Sequence, residues 1–246
     1  MKDLHIILAM AGRGSRFADA GFSTPKPLIQ VDGQPMFMKA LSSLDAIKAV
    51  KHYTIIIREA HDKEYDLSNQ LKTVLPEANV VVTNEEPTGA LSDAYRAKPY
   101  LKPDEGVILL DCDLWFSSPS YYQMVENSLN GTSQIAGGLL TFEADNPRYS
   151  YAKLDDNGTV TETAEKKVIS HNAITGAYYV ASTEIFIKAA DDVLSRERSP
   201  EMPEYYVSHI YNSILAQGGT VQAAMVEGFA SFGTPEELDA YEKTRR

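Results

Sequence analysis

A short apolar segment close to the start of the chain, followed at once by glycines, restricts the fold most strongly. Residues Leu4–Met10 are apolar apart from His5 and lead directly into a loop that contains Gly12 and Gly14. A run of this length is typical of a strand buried on both faces of a parallel sheet, whereas ~20 apolar residues are needed to cross a bilayer. The segment therefore predicts a central strand of an α/β sheet rather than a signal peptide.

The rest of the chain alternates between short apolar runs and segments in which apolar residues recur at helical spacing. Strands are predicted at 4–10, 53–58, 79–83, 106–110, 135–142, 151–154, 160–163 and 174–180. Helices are predicted at 35–50, 64–75, 90–98, 120–129, 183–194, 204–217 and from 235 onward. The Asn157-Gly158 pair favours a hairpin turn.

This order of elements predicts an α/β fold of the doubly wound, Rossmann-like type, in which helices flank a mixed sheet. A smaller mixed-sheet insertion is expected in the second half. The pattern contains no repeat, low-complexity segment or linker, so a single domain over residues 1–246 is expected.

Charge and cysteine content narrow the classes of partner and compartment. The net charge of −11 and a pI near 4.9 argue against a nucleic-acid partner, because such binding depends on lysine and arginine neutralising phosphates. Cys112 is the single cysteine, which excludes an internal disulfide and favours a reducing compartment, so a cytoplasmic protein without a membrane partner is expected.

The glycine-containing loop after the first strand has the character of an anion-binding turn. Gly12 and Gly14 let the backbone approach phosphate oxygens, and Arg16 adds a planar cationic donor. Phe17 breaks a dinucleotide fingerprint, and the Gly-Lys-Ser/Thr of a P-loop is missing. Ten residues after Arg16, the prolines on either side of Lys26 restrict the backbone around it.

Gly12-x-Gly14-x-Arg16 followed by Pro25-Lys26-Pro27-Leu28 resembles the N-terminal signature of the sugar-phosphate nucleotidyltransferases, the nucleotide-sugar pyrophosphorylases. The resemblance implies a GT-A-like fold, with a nucleotide-binding half at about 1–130 and an acceptor-binding half at about 131–234. It also implies that Arg16 and Lys26 stabilise the transferring phosphate. The loop residues expected to wrap the phosphates of the NTP are Ala11, Gly12, Gly14 and Ser15.

The segment 84–90, between a predicted strand and a predicted helix, resembles the part of the family that holds base and ribose. It contributes Asn84, Thr88 and Gly89 to the expected nucleotide site, with Asn84 where glutamine is usual. The alternative is a turn in which Thr88 merely caps the helix. Because one amide can pair with either polarity of base edge, CTP, UTP, dTTP and GTP all stay open.

Asp111 and Asp113 follow directly after a predicted buried strand, and alternation directs both side chains to one face. Carboxylate oxygens at a strand end suit Mg²⁺. The resemblance makes Asp113 the catalytic metal ligand and Asp111 its helper. An Asp-x-Asp pair also serves glycosyltransferases that use a nucleotide-sugar donor, which is the alternative function, although the Arg16 and Lys26 segments argue against it.

For the acceptor, the resemblance points to Glu165 and Lys166, and to Gly138, Thr175 and Gly176. From composition alone, Glu165-Lys166-Lys167 is more typical of a solvated surface. Tyr149-Ser150-Tyr151 and Glu204-x-Tyr206-Val207 are similar to acceptor-side segments of short bacterial members that serve surface-polysaccharide pathways. The expected partner is thus a phosphorylated sugar or sugar-like molecule, and homo-oligomerisation is left open.

The closing motif Phe232-Gly233-Thr234-Pro235 departs from the family at one position. Ser231 stands where many members have an aspartate that also binds the metal. Asp111 or Glu227 could substitute, or the metal could be held mainly by Asp113 and phosphate oxygens. The expected reaction is attack of an acceptor phosphate oxygen on the α-phosphorus of the NTP, with release of pyrophosphate. A catalytically silent nucleotide sensor is a third hypothesis.

Overall fold

A computed structural model describes residues 1–200 and 202–244, in which strands alternate with helices along the chain. The strands are β1 (Leu4–Met10), β2 (Gln30–Val31), β3 (Gln34–Pro35), β4 (Lys51–Arg58), β5 (Asn79–Thr83), β6 (Gly106–Leu110), β7 (Leu114–Ser117), β8 (Gly137–Glu143), β9 (Ser150–Leu154), β10 (Val160–Glu165), β11 (Asn172–Val180), β12 (Val221–Met225) and β13 (Gly228–Ser231). The helices are α1 (Ser15–Asp19), α2 (Met36–Ser42), α3 (Glu59–Tyr65), α4 (Leu67–Val74), α5 (Ala90–Tyr95), α6 (Pro119–Leu129), α7 (Thr183–Leu194), α8 (His209–Ala216) and α9 (Pro235–Lys243).

A nine-stranded mixed sheet runs through both halves of the described residues. Its parallel part has the order β5-β4-β1-β6, and β11 pairs antiparallel with β6. Because β4 and β6 lie on opposite sides of β1, the winding direction reverses there, and ligands of such sheets bind at the carboxyl ends of the strands beside that point. The predicted α/β fold with a mixed sheet flanked by helices is confirmed.

The second half of the chain extends this sheet through the long strand β11. One edge of β11 pairs with β6 and with β9, and the other pairs with β8, which is joined by a parallel β12. β9 and β10 form an antiparallel hairpin around Asn157-Gly158. At the turn Gly158 has φ +77 and its N–H donates to Asp155 O at 3.1 Å.

Strand alternation divides the core between the two faces of the sheet. From β1, Ile6 and Leu8 pack in a cluster with apolar residues of α2 and α6, whereas Ile7 packs in a second cluster with residues of α5, α7 and α8. All three side chains of β1 are 1% exposed. A strand covered on both faces is apolar at nearly every position, which is the pattern of its sequence.

Four predicted helices were wrong in their bounds. The helix predicted at 90–98 ends at Tyr95. The helix predicted at 35–50 ends at Ser42 and continues as tight turns, because Leu44 N–H and Ile47 N–H each donate to the residue three positions back. The helix predicted at 64–75 is two helices, separated by Asp66 in the left-handed conformation at φ 52.

The helix predicted at 204–217 begins only at His209, because the backbone of Tyr205 is engaged elsewhere. Tyr205 N–H donates to Thr88 O at 2.9 Å, and Tyr205 O accepts from Leu91 N–H at 3.0 Å. The short strands β2, β3, β7, β12 and β13 were not predicted. The last predicted helix is found as α9, while residues 245–246 lie outside those described.

Within residues 1–200 and 202–244, no helix combines the length and apolar character that crossing a membrane requires.

Candidate active site

The loop that follows β1 lies against the lysine that the sequence singles out. Gly14 has φ +62 and forms the N-cap of α1, and a Cβ added to it would lie 3.3 Å from Lys26 Cβ. Lys26 begins a 3-10 turn after Pro25. Ala11 is buried at the end of β1, while Arg16 lies exposed in α1. Glycine at position 14 thus satisfies both a left-handed backbone and a close approach.

Lys26 and Asp113 form an ion pair at the carboxyl edge of the sheet, with side chains 21% and 23% exposed. Burial alone would lower the pKa of the Lys26 ammonium, but the Asp113 carboxylate outweighs it and raises the pKa above its ordinary value. Two segments 87 residues apart in sequence therefore meet as a charged pair.

Asp111, two residues before Asp113, packs closely against Gly176 of β11. Its backbone N–H donates to Gly176 O at 2.9 Å, and a Cβ on Gly176, at φ +104, would lie 2.4 Å from Asp111 Oδ2. Burial, and then the negative charge of Asp113, raise the pKa of Asp111 to about 8. Ionising both aspartates would thus place more negative charge in the site than Lys26 balances.

Ion pairs link the segment after β5 to the loop after β1 and to the end of β4. Arg13 forms an ion pair with Glu86, and Arg58 Nη2 lies 3.7 Å from Glu86 Oε1. The expected residues Asn84, which is exposed, and Thr88 thus lie at the same edge of the sheet as the glycine loop.

Thr88 and Gly89 both make contacts that stabilise the structure of this segment. The Thr88 hydroxyl donates to Ser92 Oγ at 2.7 Å instead of capping α5, so the capping alternative is wrong in this detail. A Cβ on Gly89 would lie 2.4 Å from the backbone N and O of Tyr205, which makes glycine a requirement of backbone packing here.

A cavity of 230 Å³ adjoins the aspartates and brings together most of the residues expected to bind the acceptor. Asp111, Asp113, Glu165, Thr175 and Gly176 all line it. Ser150 and Ser208 donate hydrogen bonds to Glu165 Oε2, yet burial raises the pKa of the Glu165 carboxyl above its ordinary value.

Two residues expected at the acceptor do not line this cavity. The exposed Lys166 has φ 53 and donates to the hydroxyl of Tyr206 at 2.8 Å, and it is Tyr206 that lines the cavity. Gly138 lies in β8, where a Cβ would be 2.5 Å from Met124 Cε. Gly138 therefore packs against Met124 of α6.

Arg148 is a lining residue that sequence reasoning missed. Among the described residues it is the only lysine or arginine that lines the cavity. Its guanidinium lies 4.6 Å from the centre of the Tyr149 ring and forms an ion pair with Glu237 of α9. The sequence signal available was its position directly before the Tyr149-Ser150-Tyr151 segment.

Glu237 also reaches this site, which the sequence did not predict. Ser231 Oγ donates to Glu237 Oε2 at 2.9 Å. A Cβ on Gly233 would lie 3.2 Å from both Asp113 Oδ2 and Glu237 Oε2, so the two carboxylates border one space. The spacing Thr234-x-x-Glu237, typical of a helix start, gave a signal for α9 but none for the site.

Glu227, in contrast, lies away from the aspartates. β13 pairs antiparallel with β7 so that Ser231 is opposite Leu114, beside Asp113. Glu227 precedes the other end of β13, where its N–H donates to Ser117 O. Of the two carboxylates considered as substitutes for the aspartate missing at position 231, only Asp111 is near.

Comparison with known proteins gives a family match over most of the chain. The family model described as nucleotidyl transferase matches residues 4–230. A curated relative, the low-salt glycan biosynthesis nucleotidyltransferase Agl11 of Haloferax volcanii, is 23% identical over 236 residues, or 94% of this chain. The chain spans 63% of that relative's length.

Solved structures resemble the fold along its whole length. The nucleoside-diphosphate-sugar pyrophosphorylase of Vibrio cholerae RC9 gives a TM-score of 0.81 at 22% identity, with 97% of this chain and 99% of that chain covered. The inositol-1-phosphate CTP transferase of T. maritima gives 0.73 at 16% identity, with coverages of 98% and 95%.

Proposed function

Because the chain belongs to the nucleotidyl transferase family, we propose that it transfers the nucleoside monophosphate of an NTP to a sugar 1-phosphate or similar phosphomonoester and releases pyrophosphate. One observation carries the proposal: the glycine loop, Lys26 and Asp113 meet at the carboxyl ends of β1 and β6, where the winding of the sheet reverses.

The reaction requires two anions to be held together while negative charge develops on the transferring phosphate. An ionised acceptor phosphate is itself the nucleophile, so catalysis consists of positioning and charge stabilisation. In this proposal Ala11, Gly12, Gly14 and Ser15 line the NTP phosphates, and Arg16 and Lys26 stabilise the charge. A lysine whose pKa is raised stays protonated at neutral pH, as this role demands.

The donor set next to Lys26 fits Mg²⁺. Burial, and then the charge of Asp113, raise the pKa of Asp111; a divalent cation would favour the ionised form of both carboxylates, and hard oxygen ligands of this kind suit magnesium. Asp113 and Asp111 would hold the ion, which supplies Lewis-acid neutralisation of the phosphates when bound. Glu237 bordering the same space as Asp113 supports it as a further carboxylate ligand in place of the aspartate that Ser231 replaces.

The acceptor occupies the 230 Å³ cavity in this proposal. Among the residues that the structure describes, three carboxylates and one guanidinium, that of Arg148, line it, so we assign the acceptor phosphate to Arg148 and the hydroxyls to Glu165. Lys166 lies at the rim through Tyr206, and Thr175 and Gly176 form part of the floor. Asn84, Thr88 and Gly89 belong to the nucleoside side.

Both substrates are assigned by chemical class. The nucleotide is CTP, UTP, dTTP or GTP, and the similarity to proteins named for nucleoside-diphosphate-sugar and inositol-1-phosphate chemistry supports a polyhydroxylated acceptor. A glycan-biosynthesis relative supports a role in surface polysaccharide formation. Residues 1–130 and 131–234 then act as the nucleotide and acceptor halves of one cytoplasmic domain.

The test is a matrix of the four NTPs against sugar 1-phosphates and inositol 1-phosphate, with pyrophosphate release and product mass as readouts. One pairing is expected to release pyrophosphate in step with a new nucleoside diphosphate derivative. A glycosyltransferase acting on a nucleotide sugar would release none, and that result would overturn the proposal.

Lys26→Met removes the charge but keeps most of the side-chain length. We expect kcat/KM to fall ~10²–10³-fold, the loss seen when a preorganised charge-stabilising donor is removed. Lys72→Met, at an exposed lysine of α4, is the matched control and should leave kcat/KM unchanged. Full activity in Lys26→Met would contradict the assigned role.

A further inference from the structure

A second group of metal-binding side chains lies at the end of the sheet opposite the aspartates. Asp3 directly precedes β1, His52 is the second residue of β4, and Glu105 directly precedes β6. These three strands are adjacent, so their amino ends bring the three side chains together. Neither the glycine loop nor the acceptor cavity includes any of them.

The ligand atoms lie close enough together for a single metal ion to reach all three. His52 Nε2 lies 2.9 Å from Asp3 Oδ2 and 3.6 Å from Glu105 Oε1, and all three ligand atoms lie within 4.8 Å of one another. Around Zn²⁺, with bonds of ~2.0–2.2 Å, neighbouring ligand atoms are separated by about 3.3 Å. Small side-chain movements would therefore complete the coordination.

Glu105 gives an independent sign that a ligand belongs here. Its side chain is 4% exposed, and Oε1 accepts no hydrogen bond. The other oxygen, Oε2, is held by His5 Nδ1 at 3.1 Å and by the N–H of Lys102 at 3.0 Å. The carboxylate is thus fixed by one oxygen, while the other has only the longer ion-pair contacts to His52 Nε2 at 3.6 Å and Lys102 Nζ at 3.8 Å and can accept a closer partner.

A lysine ammonium marks the position where a cation is favourable. Lys102 Nζ lies 3.4 Å from His52 Nε2 and 3.8 Å from Glu105 Oε1, and its side chain is 63% exposed. It can turn out into solvent by giving up these two long contacts. We propose that Asp3, His52 and Glu105 form a binding site for a first-row divalent metal of the zinc type, which displaces the Lys102 ammonium and links the starts of β1, β4 and β6.

The chemistry of the donors selects this class of ion. One imidazole nitrogen with two carboxylates suits Zn²⁺ and its neighbours Co²⁺ and Ni²⁺, whereas Mg²⁺ prefers an all-oxygen shell. With three protein ligands, a water would complete the shell. Because a metal binds an imidazole nitrogen that carries no proton, the bond from His52 Nε2 to the metal would replace its hydrogen bond with Asp3 Oδ2.

The test uses metal-stripped full-length protein carrying Asp113→Asn, which weakens binding at the catalytic carboxylates. Titration calorimetry with ZnCl₂ should show one equivalent bound, and Co²⁺ should give the visible absorption of a four-coordinate ion. His52→Gln in this background should weaken Zn²⁺ binding at least ~10-fold. Zn²⁺ should raise the Tm of the parent but not of His52→Gln.

Two further variants sharpen the outcome. Lys102→Met removes the competing ammonium and should tighten Zn²⁺ binding, whereas His171→Gln, at an exposed histidine elsewhere, should change nothing. Asp3→Asn, at a half-exposed residue, gives a second ligand variant should His52→Gln fold poorly. Undetectable Zn²⁺ binding to the parent, or equal binding in parent and ligand variants, would overturn the proposal.

Discussion

Arg148 is the residue whose charge we expect to set the affinity for the acceptor. A guanidinium bound to a phosphate contributes about 1.5–3 kcal/mol as a charged hydrogen-bonding pair. Arg148→Met should therefore raise the KM for the phosphorylated acceptor ~10–100-fold and leave the KM for the NTP unchanged. Steady-state kinetics with each substrate varied in turn measures both. Lys167→Met, at an exposed lysine, is the control, and an unchanged acceptor KM in Arg148→Met would assign the phosphate elsewhere.

Glu237 is the residue on which the metal affinity should depend. Glu237→Gln keeps the shape but removes one negative charge next to Asp113, so binding of Mn²⁺ to the substrate-free protein, measured by electron paramagnetic resonance, should weaken ~10-fold. The activity should also require more Mg²⁺. Glu236→Gln, at the neighbouring exposed carboxylate, is the matched control. Equal Mn²⁺ affinities in the two variants would exclude Glu237 as a ligand.

The sequence predicts residues of this site where the signal is local. Asp111 and Asp113 follow an apolar strand, and Lys26 stands between two prolines, so each is visible within a few positions. Arg148 and Glu237 are 89 residues apart, and their meeting depends on the pairing of β13 with β7. Gly138 shows the limit of a glycine signal, because a glycine packed against a neighbouring helix and a glycine facing a ligand look alike in sequence.

At the scale of elements, Gly89 joins α5 to the segment before α8. A Cβ there would lie 2.4 Å from the Tyr205 backbone, so Gly89→Ala should separate the two segments and lower the free energy of unfolding by about 3 kcal/mol. Gly131→Ala, also at positive φ but with open space around it, should lower it by about 1 kcal/mol. Urea unfolding of both variants checks this, and equal losses would refute the packing argument.

Element types follow from periodicity more securely than element ends. The strands β1, β5 and β6 have the predicted bounds, because an apolar run and a clear break in the pattern mark where each strand begins and ends. The start of α8 was missed because Tyr205 pairs its backbone with residues 88–91, more than a hundred positions away. β12 and β13 are short, and their pairing with distant strands determines them more than their own composition.

For the whole molecule, the half-buried Glu165 makes the stability depend on pH. Its pKa is raised in the folded protein, so its contribution is fully present below the ordinary value of 4.5 and is lost as the pH rises through the raised value. Glu165→Gln removes this loss. The Tm of the variant minus that of the parent should increase from pH 4 to pH 8, as differential scanning calorimetry would measure. A difference that is constant or falls with pH would contradict a raised pKa.

The ion pair between Lys26 and Asp113 should make binding of the metal and binding of the nucleotide depend on each other. In the resting protein each charge already satisfies the other, so a lone divalent cation must compete with the ammonium, and a lone triphosphate with the carboxylate. When both bind, the cation takes the place of Lys26 at Asp113, and the triphosphate takes the place of Asp113 at Lys26. Each ligand thus frees the side chain that the other one binds. Binding of metal and nucleotide should therefore show positive thermodynamic coupling, and the coupling must be equal in both directions. In the absence of the other ligand, the ion pair therefore lowers the affinity for the metal and for the nucleotide.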